Sequence, residues 1–296
     1  MHSTGTRLYV VLLISCTCQL IPLTTGREFV PSAEVNNMFQ NFRKMAFRAI
    51  EGSRGKKDLG KHNPKFQEPV PLSTDFPCPT NPGSPGARSS TRPTSVHQLR
   101  PGDIDVIGAL GGEGTWREYL TLPNILKEFN PNLVGYSLGT ALGFMKSSKL
   151  NIAEPMAMNR DMLFQAKLLI LRMKDNPRID FKEDWKVNNS LYNDKDDFAV
   201  VVQPFLLDAV FPTKTEFNET VPDSTVYAQD CFHLSQKGHA YGAQSLWNNM
   251  MEPAGNKSLV LAREILTPFP CPSEKHPYIY TAMNSDDDDD DDDDDE

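Results

Sequence analysis

Apolar residues first fall into a helical rhythm over positions 33–50, where Val35, Met38, Phe39, Phe42, Met45 and Ala46 recur at helix-like spacing. The rhythm then stops. Positions 52–93 are polar and rich in proline, which predicts a linker or a lead-in wrapped on a domain, without a core of its own. Positions 104–110 form a short apolar run ending in Gly111-Gly112, the pattern of a buried strand entering a loop. Leu133-Val134 begins a second such run. Positions 161–173 return to helical spacing, with basic residues towards the end, and 198–202, closed by Gln203-Pro204, is the clearest strand of the chain. Ser235 is placed to cap a helix running to Met251, with Ala240, Ala243, Leu246, Trp247 and Met250 on its apolar face. Strands alternating with helices predict an α/β fold with a parallel sheet.

Composition adds boundaries to this picture. The 296 residues, 23 of them proline, suit one globular domain with irregular flanks. The net charge of −9 is misleading, because Asp286 to Asp295 and Glu296 alone contribute −11. What remains is close to neutral and has no basic stripe, so no nucleic-acid partner is expected. The acidic run is expected to stay solvated, since like charges repel and nothing apolar is there to bury. Calcium or basic surfaces are its alternative partners, and a non-enzymatic binding role through this tail is one reading of the whole chain.

The first residues read as a secretory signal: Arg7, an apolar stretch over 8–23, then Thr24-Thr25-Gly26. A membrane anchor is the alternative, but the apolar run is short and no second one follows. The expected organisation is a signal peptide at 1–26, a helix and Pro-rich lead-in at 27–94, a domain at 95–272 and an acidic tail at 273–296. Loss of the signal would leave Cys78, Cys231 and Cys271, enough for one disulfide and one thiol. Cys78 and Cys271 sit in identical Phe-Pro-Cys-Pro tetrapeptides, which makes them a candidate pair, although sequence alone does not fix the pairing. Asn188, Asn218 and Asn256 head glycosylation triplets and fit the same secreted, extracellular setting.

The sharpest chemical signal is Asp230-Cys231-Phe232-His233 ahead of the capped helix. An Asp three residues before a His can orient the imidazole and stabilise its charged form, the supporting half of a Ser-His-Asp constellation. With the following Leu234-Ser235 and the run from Ala243 to Met250, this block resembles the last block of the phospholipase B branch of the GDSL/SGNH lipid esterases. The segments at 95–104, 122–126, 129–131, 183–186 and 198–204 resemble that family too. The resemblance implies a three-layer αβα sandwich around a parallel sheet, no cofactor or metal, and hydrolysis of acyl esters in phospholipids or lysophospholipids. It assigns Asp230 and His233 to the triad, with a serine nucleophile and an oxyanion hole of backbone N–H, Gly and Asn.

The other blocks depart from the pattern. Where the family reads Gly-Asp-Ser-Leu, this chain continues from Gly111 to Gly112-Glu113-Gly114. Met156 falls where the oxyanion Gly belongs, and no Gly-x-Asn-Asp follows Trp185-Lys186-Val187. Missing internal segments explain this better than point changes, and they predict a sheet short of strands with exposed edges. A catalytically impaired, soluble family member is therefore expected. One alternative nucleophile remains: Gly135-Tyr136-Ser137-Leu138-Gly139 matches the G-x-S-x-G elbow of another hydrolase class, with Ser137 as nucleophile. The spacing of His233, His239 and Cys231 supports no metal site. The oligomeric state is open.

Overall fold

The computed structural model describes residues 63–108, 114–138, 145–153, 162–176, 196, 199–208, 212–216, 218–228 and 233–285. Helix α1 spans Leu122–Phe129, α2 spans Met162–Lys174 and α3 spans Gln236–Met250. Strands β1 (Thr213–Glu216) and β2 (Glu219–Pro222) form an antiparallel hairpin, with Thr213 opposite Pro222 and Glu216 opposite Glu219. The predicted helix at 33–50 lies outside the described residues.

A short parallel pair joins two parts of the core. Ile107 N–H donates to the Val134 carbonyl at 2.9 Å, and Val134 N–H donates to the Asp105 carbonyl at 3.1 Å. Parallel neighbours need a crossover, and α1 lies within the connection between them. Its N-terminus is capped by the Thr121 hydroxyl, which accepts from Asn124 N–H at 3.3 Å. At the other end the Asn130 amide donates to the Ile104 carbonyl at 2.8 Å, returning the helix to the strand it left. Side chains alternate across the pair as a pleat requires. Ile107 and Leu133 join the main core with α1 and α3, while Val106 and Val134 meet Leu150 and, from α2, Leu169 and Met173. Helices thus cover both faces.

The main core centres on aromatic rings. Trp247 of α3 lies stacked between Phe129, at 5.5 Å, and Phe269, at 5.3 Å, and its indole N–H donates to the Pro270 carbonyl at 2.9 Å. Phe76 adds edge contacts to Trp116, Phe129 and Phe269. Cys78 and Cys271 form a disulfide at the same place, with Cα atoms 5.4 Å apart and a sequence separation of 193. The buried polar side chains of α3 hold irregular segments against it. Gln244 donates to the Pro268 carbonyl and accepts from Leu266 N–H, Ser245 accepts from Ala262 N–H, and Asn249 accepts from Phe205 N–H.

Two differences from the sequence pattern have physical causes. The Pro-rich stretch, of the two readings linker or ordered lead-in, is the lead-in where it is described: Phe76 and Cys78 enter the aromatic core, and Gln67 donates to the Trp116 and Arg117 carbonyls and accepts from Leu120 N–H. Long-range hydrogen bonds and a covalent staple order it, and local apolarity registers neither. Residues 273–285, predicted as part of the acidic tail, also pack. Ile279 N–H donates to Leu99, Tyr280 N–H to Met250, and His97 Nδ1 lies 2.7 Å from Thr281 Oγ1. Residues 199–204, within the clearest predicted strand, have no regular secondary structure and belong to no described sheet. Val200 and Val202 are 51% and 76% exposed, so among the described residues nothing buries the β-branched run.

Lys257, at the C-terminal end of α3, gives a pH prediction. Its ammonium is buried and donates to the Asn249 and Glu252 carbonyls. Burial lowers its pKa to about 8, while Glu252 pulls weakly the other way. Between about 8 and the ordinary 10.5, the unfolded chain holds a proton that the folded chain has released. Stability contributed by this site therefore rises with pH across that window, by at most about 3 kcal/mol. Urea titrations at both ends of the window should show this rise in the native chain and not in Lys257→Met; equal slopes would contradict it.

Candidate functional site

His233 and Leu234 lead directly into α3. Ser235 caps the helix, its hydroxyl accepting from Gly238 N–H at 3.2 Å and donating to the Thr225 carbonyl at 2.7 Å. Tyr227 and Leu234 pair antiparallel, and Ala228 N–H donates to the His233 carbonyl at 2.7 Å. His233 therefore sits at the mouth of the turn, exposed, just before the helix N-terminus. Asp230 and Cys231 lie outside the described residues.

Two lysines fasten this turn from outside. Lys65 Nζ donates to the carbonyls of Ser224, Tyr227 and Ala228 at 3.1, 2.6 and 3.3 Å. Lys237 Nζ donates to Asp223 Oδ2 at 3.2 Å and to Thr225 Oγ1 at 2.9 Å. Burial works against ionisation of Asp223, but the Thr225 hydroxyl and amide, then Lys237, outweigh it and hold the carboxyl below its usual range. Packing is equally tight at Gly238, where an added Cβ would stand 2.4 Å from the Val226 carbonyl oxygen. Gly238→Ala is expected to cost about 1–3 kcal/mol by overpacking. Thermal unfolding would measure it; an unchanged melt would mean that the turn yields freely.

His239 was not singled out by its spacing, yet it is electrostatically joined to His233. Its ring keeps an exposed edge. Desolvation pushes its pKa below the ordinary imidazole range, and the charge of His233 pushes it further the same way. Among the described residues no cluster of His, Cys, Asp or Glu is arranged to hold a metal.

Ser137 occupies a different environment. It lies on a loop where Leu138 N–H donates to Ser147 and Leu150 N–H donates to Gly135, both at 2.9 Å. Only 2% of its surface is exposed. The left-handed conformation in this loop belongs to Gly135, at φ +97°, where a Cβ would meet the Ile107 carbonyl at 2.5 Å. A nucleophile elbow instead presents its serine at the apex of a strained turn, open to substrate. An open cavity of about 670 Å³ lies beside this loop, lined in part by Gly135, Tyr136 and Leu138, and no residue of the His233 turn borders it. Residues 109–113, Met156 and Asn188 lie outside the described residues. Asn218 sits at the tip of the β1–β2 hairpin with φ +64°, and Asn256 is exposed on the turn after α3.

The chain is 28% identical to phospholipase B1, membrane-associated, of Rattus norvegicus over 334 residues, covering 67% of this chain and 22% of the relative. The proteins of the same name from Homo sapiens and Mus musculus are 26% and 28% identical, covering 68% and 67% of this chain and 23% and 22% of theirs. No family model matches, and no solved structure matches. The similarity establishes a phospholipase B-like relationship for the chain. The chain spans less than a quarter of the length of these curated relatives. Of the 334 aligned positions, 67% of 296 residues fill about 198, which leaves about 136 positions of the relative without a counterpart here. No helix among the described residues is long and apolar enough to cross a membrane.

Proposed function

We infer that this chain is an extracellular, phospholipase B-like protein of the αβα SGNH type in which ester hydrolysis is impaired. It retains the acid–base half of the triad, Asp230 and His233, and lacks the segments that carry the nucleophile and two oxyanion donors. The carrying observation is a gapped alignment together with absent family blocks. The alignment with phospholipase B1 passes over about 136 positions, and the Gly-Asp-Ser-Leu and Gly-x-Asn-Asp blocks are absent from the sequence. Helices on both faces of the Val106–Val134 pair favour the layered fold. The exposed valines at 200 and 202 fit a sheet that has lost a neighbour.

Chemically, an imidazole and its carboxylate can accept a proton but cannot form the acyl intermediate. What remains is binding of phospholipid or lysophospholipid with little turnover. The test is labelling of the folded protein with a fluorophosphonate probe, followed by peptide mapping and a lysophospholipid hydrolysis assay. No adduct and no turnover are expected. An adduct on any serine that disappears in His233→Ala, together with measurable turnover, would overturn the reading.

A further inference from the structure

The cavity beside the Ser137 loop has a lining that the hydrolytic reading does not use. Its walls are Leu133, Leu138, Leu150 and the ring of Tyr136. Lys146, Lys149 and Arg172 also border it, and Asp175 is the one acid among the lining residues. Three cations against one carboxylate leave the cavity locally positive, in a chain whose overall charge is −9. At about 670 Å³ it falls within the range of small-molecule sites.

The cationic side is built into the fold. Arg172, near the C-terminus of α2, donates to Ser148 Oγ at 2.7 Å and to the Lys149 and Asn151 carbonyls at 2.7 and 3.2 Å. That fixes the turn carrying Lys146 and Lys149 against the helix. Lys149 itself is held at φ +53°, an uncommon conformation for a residue with a side chain. Among the described residues, neither lysine ammonium has a carboxylate partner. On the wall, Lys127 Nζ lies 5.0 Å from the Tyr136 ring centre, adding a further cation behind the aromatic face.

We propose that this cavity binds a single-chain amphiphile with an anionic head, the chain lying on Leu133, Leu138, Leu150 and Tyr136 and the head between Lys146 and Lys149. The chemistry is shared by a fatty carboxylate and a lysophospholipid phosphate monoester. A purely polar anion would waste the apolar wall, and a neutral lipid would leave the lysines unanswered. The site rests on the cavity alone, so it survives if the hydrolytic reading fails.

The experiment is calorimetric titration of the full secreted chain, below micelle-forming concentrations, with oleate, oleoyl lysophosphatidate, monoolein and inorganic phosphate. Oleate, lysophosphatidate or both should bind, and monoolein and phosphate should bind at least about tenfold more weakly, as loss of a charge-assisted contact implies. Lys146→Gln/Lys149→Gln should weaken the anionic amphiphiles by a similar factor while circular dichroism stays unchanged. If that double variant does not fold, Lys146→Gln and Leu138→Asp provide separate tests of the head and chain contacts. Binding of oleate alone or of lysophosphatidate alone assigns the head as carboxylate or phosphate. No binding by the native chain, equal binding of monoolein or phosphate, or full affinity in the folded variants would overturn the proposal.

Discussion

Replacing Cys78 and Cys271 together by serine is expected to lower the unfolding free energy by about 2–5 kcal/mol. A bridge across 193 residues removes many open conformations from the unfolded chain. The loss should be at the high end because the bridge also anchors packing. Cys78 belongs to the main core, and the residues before Cys271 carry Phe269 and the carbonyl of Pro270 to Trp247. For a domain of this size the midpoint should fall by roughly 5–15 °C. Scanning calorimetry of the native and double-serine chains measures it directly. An unchanged midpoint in the variant, matched by an unchanged midpoint on reduction of the native chain, would show that the staple is idle.

Trp247→Ala should be of comparable size, about 3–5 kcal/mol, because a large ring leaves a cavity that its neighbours fill only in part. The side chain is fully buried between Phe129 and Phe269, and truncation also strands the Pro270 carbonyl. Trp247→Phe should recover most of the packing and none of the hydrogen bond. Denaturant titration of both variants separates the two contributions. Combined with loss of the disulfide, Trp247→Ala should cost less than the sum, since both changes release residues 269–271. Strict additivity would mean that the ring and the bridge act through different segments.

Helices were the most readable parts of this chain, and for a simple reason. Periodicity reports a face that one helix buries, so positions 161–173 and the Ser235-capped run correspond closely to Met162–Lys174 and Gln236–Met250. It says nothing of polar residues buried by partners far away. Gln244 and Asn249 are polar, yet both lie in the core because segments 205 and 258–268 use them as hydrogen-bond anchors. The β1–β2 hairpin was missed because Thr-Lys-Thr-Glu and Glu-Thr-Val-Pro show little apolar alternation and largely face solvent.

The candidate site divides along the same line. The capped helix start just after His233 was legible from Ser235 and the apolar spacing that follows. The clamp by Lys65, the coupling to His239 and the cationic cavity were not, because each joins residues that become neighbours only when folded. Ser137, the alternative nucleophile of the G-x-S-x-G match, is 2% exposed on a loop whose left-handed residue is Gly135, a placement that a five-residue motif does not specify.

The bridge between Cys78 and Cys271 also turns most of the described molecule into a covalent ring. A protease that nicks the chain once anywhere between those cysteines opens the ring without releasing a fragment. Both pieces stay attached, and the aromatic core can stay closed around the cut. On a denaturing gel the nicked protein would run as one band until reductant is added, then separate. In an extracellular setting, that would let the protein lose chain continuity in a surface loop while keeping α1 and α3 in register.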